Sequence, residues 1–447
     1  MSTLLAWATP ANGGTPSADP MATATGHVAV DLATGRVDGR ICVAHRAADV
    51  AGAFALNAGL NVARVTDGAG AVLPFGGLYA PGIDGEARVY TVAAAPPVLC
   101  VEYLGAFPVY AAHDAVDDFK GVMAFNGDSA RFSEQTAWLP MPYDPAAKRR
   151  ASALAYDLEI ACTGCRFLYV NGAAPVVGER GRFASALARP PLFFGGTGPI
   201  TQAPNATILN EAVSDTQADT LSMTAARIAA YYTAYMGRPL ADLPTFLRMV
   251  TIDQVERDRK GGEWAFATWP TIAMSGSVAN VAATLATAGD QRDAYVAFLA
   301  HEMGHYYFGT LTVPQGPYSW FLLESTAEFL SIKALRDIAG DDAAARRIAD
   351  MKRRVAKHEG PFTPLDGIVE RDEIDAYYRY LYGPLLLLSL EAHGGEAPMR
   401  ALLRDLVERT DVHTWDDLHQ AALRAGIDPA AWDQWRRRCV ASGLPDC

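Results

Sequence analysis

Basic residues are scarce in this 447-residue chain: 38 Lys and Arg stand against 50 Asp and Glu, a formal net charge of −12. Nucleic-acid binding needs clustered positive charge, and no such stripe is present. The one dense basic patch, WRRRC at 435–439, is short and follows Asp433. Long apolar runs are also missing; nothing approaches the roughly 20 residues of a spanning helix. The N-terminal stretch MSTLLAWATPANGGTPSADPMATATG has no basic residue ahead of its short apolar patch, so residues 1–26 read as a loose leader and not as a signal peptide. GGTG at 195–198 is followed by no GK[ST], which excludes a phosphate loop. No internal repeat is visible.

Cysteine is sparse, with six residues: Cys42, Cys100, Cys162, Cys165, Cys439 and Cys447. The number is even, two pairs are close in sequence, and Cys42 and Cys100 both fall in strand-like segments. This fits three disulfides in an oxidising compartment, periplasmic or secreted. Six reduced cytosolic thiols fit the same spacing, and CTGC alone also resembles a redox motif or half of a zinc site.

Half of the residues are hydrophobic, enough for sizeable cores, and the length calls for more than one domain. Residues 27–195 are rich in short alternating segments such as HVAVDL, RICVAHR, NVARVTD and VLCVEYLG, separated by TDGAG and GIDGE. That is the pattern of an antiparallel β-sandwich or saddle. RPPLFFGGTGPITQAPN at 189–205 is dense in Pro and Gly and marks a boundary. From Ser214 the chain turns helical, interrupted by two strand-like stretches, TFLRMVTID and WAFATWPTIAMSG. The tail from Asp341 reads as helical throughout. The fold class is thus α+β and multidomain.

The segment FLAHEMGHYYFG, residues 298–309, places His301 and His305 four apart, on one face of a helix and one turn from each other. Two neutral imidazoles so spaced can bind one zinc ion, and catalytic zinc takes a third protein ligand and a water. Glu302, offset from both histidines, suits a general base. The next helical segment, LLESTAEF, supplies Glu324 as the third ligand, with residues 306–323 between it and His305. Glu328, one turn on, can accept a hydrogen bond from a ligand histidine. The other histidines, among them His27, His45, His113, His358 and His393, sit in no ligand pattern and read as structural.

With H-E-x-x-H, eighteen residues and then Glu, the chain resembles the aminopeptidase N family of zinc metallopeptidases, the gluzincins. HEMGHYYFGTLT is similar to the family's H-E-x-x-H-x-W-F-G-N-x-V-T, and WFLLESTAEFL to its W-L-N-E-G-F-A, with Trp320 and Glu324 in place. The resemblance implies a thermolysin-like catalytic domain over 206–395, after the β-rich domain and before a short helical region at 396–447. It implies one Zn²⁺ on His301, His305 and Glu324, with Glu302 as base. It also implies a tyrosine in a Y-x-x-G pattern that stabilises the tetrahedral intermediate; Tyr380 matches it, ahead of Gly383, with Tyr377, Tyr378 and Tyr382 as near competitors.

Two departures bear on activity. The family's G-x-M-E-N glutamate binds a substrate's α-amine; the strand read as equivalent is TIAMSGSVAN, where Ser275 replaces it. Glu263 substitutes only if the alignment shifts. Only a short helical tail follows in place of the family's long helical C-terminal domain, so a more open cleft is expected. Ala273, Met274, Ser275 and Gly276 are expected to line that cleft as an edge strand and bind an extended peptide. The expected activity is peptide hydrolysis on a peptide or protein substrate, by an aminopeptidase or, without that glutamate, an endopeptidase. A zinc hydrolase of a non-peptide substrate and a non-catalytic peptide-binding protein on the same scaffold are the alternatives.

Overall fold

The computed structural model describes residues 22–45, 52–79, 87–93, 96–110, 121–146, 148–250, 265–360, 362–409 and 412–443. Its first strand is Ala22–Asp31, so the β-rich region starts ahead of the expected boundary at 27. The small, unpatterned look of ATATG hid a strand whose Ala22 and Ala24 are buried. Gly26 is required here: with φ +145°, a Cβ would lie 2.1 Å from the Arg40 carbonyl oxygen.

That strand is central in a six-stranded sheet ordered 180–189, 154–163, 22–31, 36–45, 98–106, 61–67. It pairs antiparallel with Arg36–His45 but parallel with Leu154–Thr163, so the sheet is mixed and not purely antiparallel as expected. Cys42 and Cys100 are direct cross-strand partners and are disulfide-bonded, as are Cys162 and Cys165. Cys439 is disulfide-bonded as well; Cys447 lies outside the described residues. Two smaller sheets complete the β-rich region, over one core that includes Phe54, Phe132, Trp138 and Leu158.

The Pro/Gly-rich stretch at 189–205 is not a linker. It holds the strand Phe193–Gly196 of the β-rich region and Ile200–Ala203 of the next sheet, three residues apart. The former region thus runs past 195, and the following one begins before 206. Gly195 is small because Cys165 Sγ would lie 2.6 Å from its Cβ.

The fourth sheet is ordered 200–203, 206–209, 245–248, 271–274, 265–268, with the middle three strands parallel. The long helix Asp215–Met236 connects the first two of these. Side chains alternate across a strand, and here both faces are covered. Ile208, Phe246, Ile272 and Met274 pack on the helices, while Leu209, Leu247 and Ala273 pack on Phe167, Tyr169 and Phe194 of the β-rich region. Tyr169 Oη and Thr271 Oγ1 share a 2.7 Å hydrogen bond across that contact.

After the helix Asp341–Val355 the tail is not helical throughout. Residues 356–377 hold two short 3₁₀ turns, and α-helix resumes at Gly383–Gly394, Glu396–Glu408, Trp415–Arg424 and Pro429–Trp435. Leu402, Leu403, Trp432 and Trp435 share the core of the preceding region, so 396–447 has no separate core among the described residues. No described helix is long and apolar enough to cross a membrane.

Candidate active site

Two helices build the site. The histidine helix, Asp290–Gly304, carries His301 and Glu302; His305 follows directly, still in helical geometry. The glutamate helix begins as a π turn, Phe321–Ser325, holding Glu324, and continues as Thr326–Ala339, holding Glu328. A π turn inserts one residue into a helix and recurs at functional sites. Trp320 stands four residues before Glu324, one more than in W-L-N-E, and the π turn lies between them. The helices approach closely because Gly304 has no side chain; its Cβ would meet Ala327 Cα at 3.3 Å.

His301, His305 and Glu324 form the one three-residue group among the described residues able to hold a metal ion, their ligand atoms within 4.8 Å of one another. Glu324 Oε2 lies 3.3 Å from His301 Nε2 and 3.5 Å from His305 Nε2. It is buried, yet makes no well-formed hydrogen bond. Tetrahedral zinc with ligand bonds of about 2.0–2.1 Å places its ligand atoms about 3.4 Å apart. The spacing and the unsatisfied oxygen therefore fit a shared cation better than a histidine–carboxylate hydrogen bond, and an N, N, O donor set suits zinc.

Each imidazole is oriented from behind. His301 Nδ1 lies 3.1 Å from Glu328 Oε2, and His305 Nδ1 lies 3.2 Å from the Phe308 carbonyl oxygen. A proton on Nδ1 leaves the Nε2 lone pair for the metal. Glu328 is in turn held by the Arg347 guanidinium, whose Nε donates to Oε1 at 2.9 Å and whose Nη2 also donates to it. Burial alone would raise the Glu328 carboxyl, but Arg347 and His301 bring it below its ordinary value. Glu324 is likewise pushed up by burial, then taken well below by the two imidazoles. Burial would lower His301, but Glu324 and Glu328 push it up to about 10 in the metal-free chain. Each of the two buried carboxylates is thus kept ionised by positive charge beside it.

Glu302 is 5% exposed, and its charge acts on both His301 and Tyr380. Tyr380 lies in a second π turn, Tyr378–Tyr382, packed against the first. Its ring centroid is 5.8 Å from that of His301, and it is 40% exposed. Burial and then Glu324 raise its hydroxyl above the ordinary tyrosine value, so it stays protonated as a donor. The competing tyrosines do other work: Tyr377 stacks on His358, and Tyr378 and Tyr382 are core residues. The π turns are locked where Ser325 Oγ donates to the Arg379 carbonyl at 3.0 Å and where a Cβ on Gly383 would lie 2.1 Å from that same Oγ.

The expected edge strand is misplaced. Thr271–Met274 is flanked by Thr245–Arg248 and Ala265–Thr268, and the latter is outermost. The Met274 carbonyl accepts from Met249 N at 2.9 Å, and the Ser275 carbonyl from Arg248. Ala273, Met274 and Ser275 are buried, and with Gly276 they belong to the sheet interior and its end, not to an open rim. Glu263, just ahead of the outermost strand, lies outside the described residues. Sequence reasoning missed Arg347, Gly304 and Ser325.

A mixed β-sheet thus stands in the same region as the helix pair that carries His301, His305 and Glu324. No protein-family model matches the chain and no curated protein matches its sequence. Solved structures share its fold. The M1 zinc metallopeptidase of Deinococcus radiodurans superposes with a TM-score of 0.61 at 15% identity, over 93% of this chain and 92% of that one. A mutant of that enzyme bound to a Tyr-Ser-Ala substrate matches with a TM-score of 0.60. Leukotriene A4 hydrolase from Saccharomyces cerevisiae matches with a TM-score of 0.63 at 12% identity, over 92% of this chain and 66% of that one.

Proposed function

We propose that the chain is a zinc metallopeptidase acting on a peptide or protein substrate. The convergence of His301 Nε2, His305 Nε2 and Glu324 Oε2, with Tyr380 beside them, carries this reading. His301, His305 and Glu324 would hold a zinc ion, which would supply Lewis acidity to polarise a carbonyl and bring the pKa of water toward roughly 7. Glu302 accepts a proton from the attacking water at its carboxylate and delivers it to the leaving amine. The Tyr380 hydroxyl donates to the oxyanion that develops on the carbonyl. Glu328 and the Phe308 carbonyl keep the imidazoles aimed. The disulfides support an oxidising compartment.

Hydrolysis of a non-peptide substrate is the second reading, favoured by the fold shared with leukotriene A4 hydrolase. The zinc-loaded protein is incubated with a mixed peptide library and the products are read by mass spectrometry, with Glu302→Gln as control. Stepwise loss of N-terminal residues indicates an aminopeptidase and internal cuts an endopeptidase. A zinc-replete chain that cuts nothing rules the peptidase reading out.

A further inference from the structure

Beside the metal cluster, two arginines lack the partners their chemistry calls for. Trp320 immediately precedes the π turn that carries Glu324. The guanidinium carbons of Arg379 and Arg371 lie 3.8 and 4.2 Å from the centroid of its indole. The ring attracts each cation, but two like charges brought to one ring repel each other. Neither arginine makes an ion pair among the described residues. Asp375 acts on Arg379 through space while accepting from Tyr378 N, and Glu373 accepts from Val369 N, Glu370 N and Thr363 Oγ1. Arg379 Nε is anchored on the Ile374 carbonyl at 2.9 Å, and Arg371 Nε is buried without an acceptor. Arg379 is next in sequence to Tyr380, and it is close enough to Glu324 to feel its charge.

A guanidinium laid flat on an indole keeps its N–H edge turned outward, and that edge matches a carboxylate with two parallel hydrogen bonds. We propose that Arg371 and Arg379, held over Trp320, form a carboxylate-binding site that flanks the metal cluster and selects peptides with a free carboxylate close to the bond that is cut. This rests on the peptidase reading and names its substrate class. A peptide C-terminus and an Asp or Glu side chain offer the same chemistry.

The test compares three peptides built on one sequence that lacks Asp and Glu: with a free C-terminus, with a C-terminal amide, and with the amide and one internal residue replaced by Glu. Each is assayed for cleavage by zinc-loaded protein and for binding to the metal-stripped protein by calorimetry. A hydrogen bond to a charged group corresponds to about tenfold or more in affinity. The free acid, the Glu peptide or both should therefore exceed the plain amide by about tenfold or more in kcat/KM, mainly through KM. Which of the two is favoured identifies the source of the carboxylate. Arg371→Gln should bring that ratio toward one while circular dichroism and zinc content stay as in the parent, and Arg371→Lys should keep part of it. Equal cleavage of all three by the parent, or an unchanged ratio in Arg371→Gln, overturns the proposal. If no peptide is cut, the peptidase reading fails by itself. The carboxylate site then stands only if the metal-stripped parent binds an acidic peptide in preference to the amide and Arg371→Gln loses that preference.

Discussion

The two sides of the site are built differently. On the histidine side His301 and Glu328 are buried, His305 is partly so, and each proposed group is braced: His301 by Glu328, Glu328 by Arg347, and His305 by the Phe308 carbonyl. On the tyrosine side Tyr380 is 40% exposed and rides on a π turn whose fixed points are its backbone contacts with Ser325. A ligand set must be correct before the metal arrives, so it is held by charge and burial. A hydroxyl proposed to meet a developing oxyanion needs only to be delivered to the right place, and backbone packing fixes the turn that carries it.

The comparison breaks first at the base. Glu302→Gln should lower kcat by about 10²–10⁴-fold with zinc content unchanged; near-native turnover would remove Glu302 from that role. On the tyrosine side, Tyr380→Phe should cost about 10²–10³-fold in kcat and leave zinc affinity alone, read by parallel kinetics and metal titration. On the histidine side, Glu328→Gln should weaken zinc binding about 10–100-fold in a competitive chelator titration, and Arg347→Met should act in the same direction by less. Gly383→Ala sharpens the contrast. Its Cβ collides with Ser325 Oγ, so it should reduce turnover more than zinc affinity, and Ser325→Gly in the same chain should restore part of the loss. Equal damage to both would mean that the two sides are one mechanical unit.

What could be read from the sequence follows from the range of the signal. His301, Glu302 and His305 lie within one helical turn or so, and Glu324 and Glu328 repeat that period on the next helix, so spacing alone brings them onto facing surfaces. Tyr380 was singled out only by resemblance to the Y-x-x-G pattern that ends at Gly383, and the tight approach of Gly383 to Ser325 was not legible in that pattern. Arg347 was hidden in DDAAARRIADMKRRV, where each basic residue looks like a solvated face; only packing selects the one that reaches Glu328. The strand order was hidden for a related reason. AFAT and TIAM are short apolar neighbours joined by a turn, and nothing local says which of them borders solvent. The parallel pairing of Ala22–Asp31 with Leu154–Thr163 joins segments far apart in sequence, beyond the reach of any local pattern.

Zinc content and zinc K-edge absorption of the purified chain, beside Glu324→Ala, test the central claim most directly. One zinc per chain, bound by two imidazole nitrogens and oxygen and lost or much weakened in Glu324→Ala, is the expected result. Sulfur in the coordination sphere, or a Glu324→Ala chain that holds zinc as tightly as the parent, would contradict it.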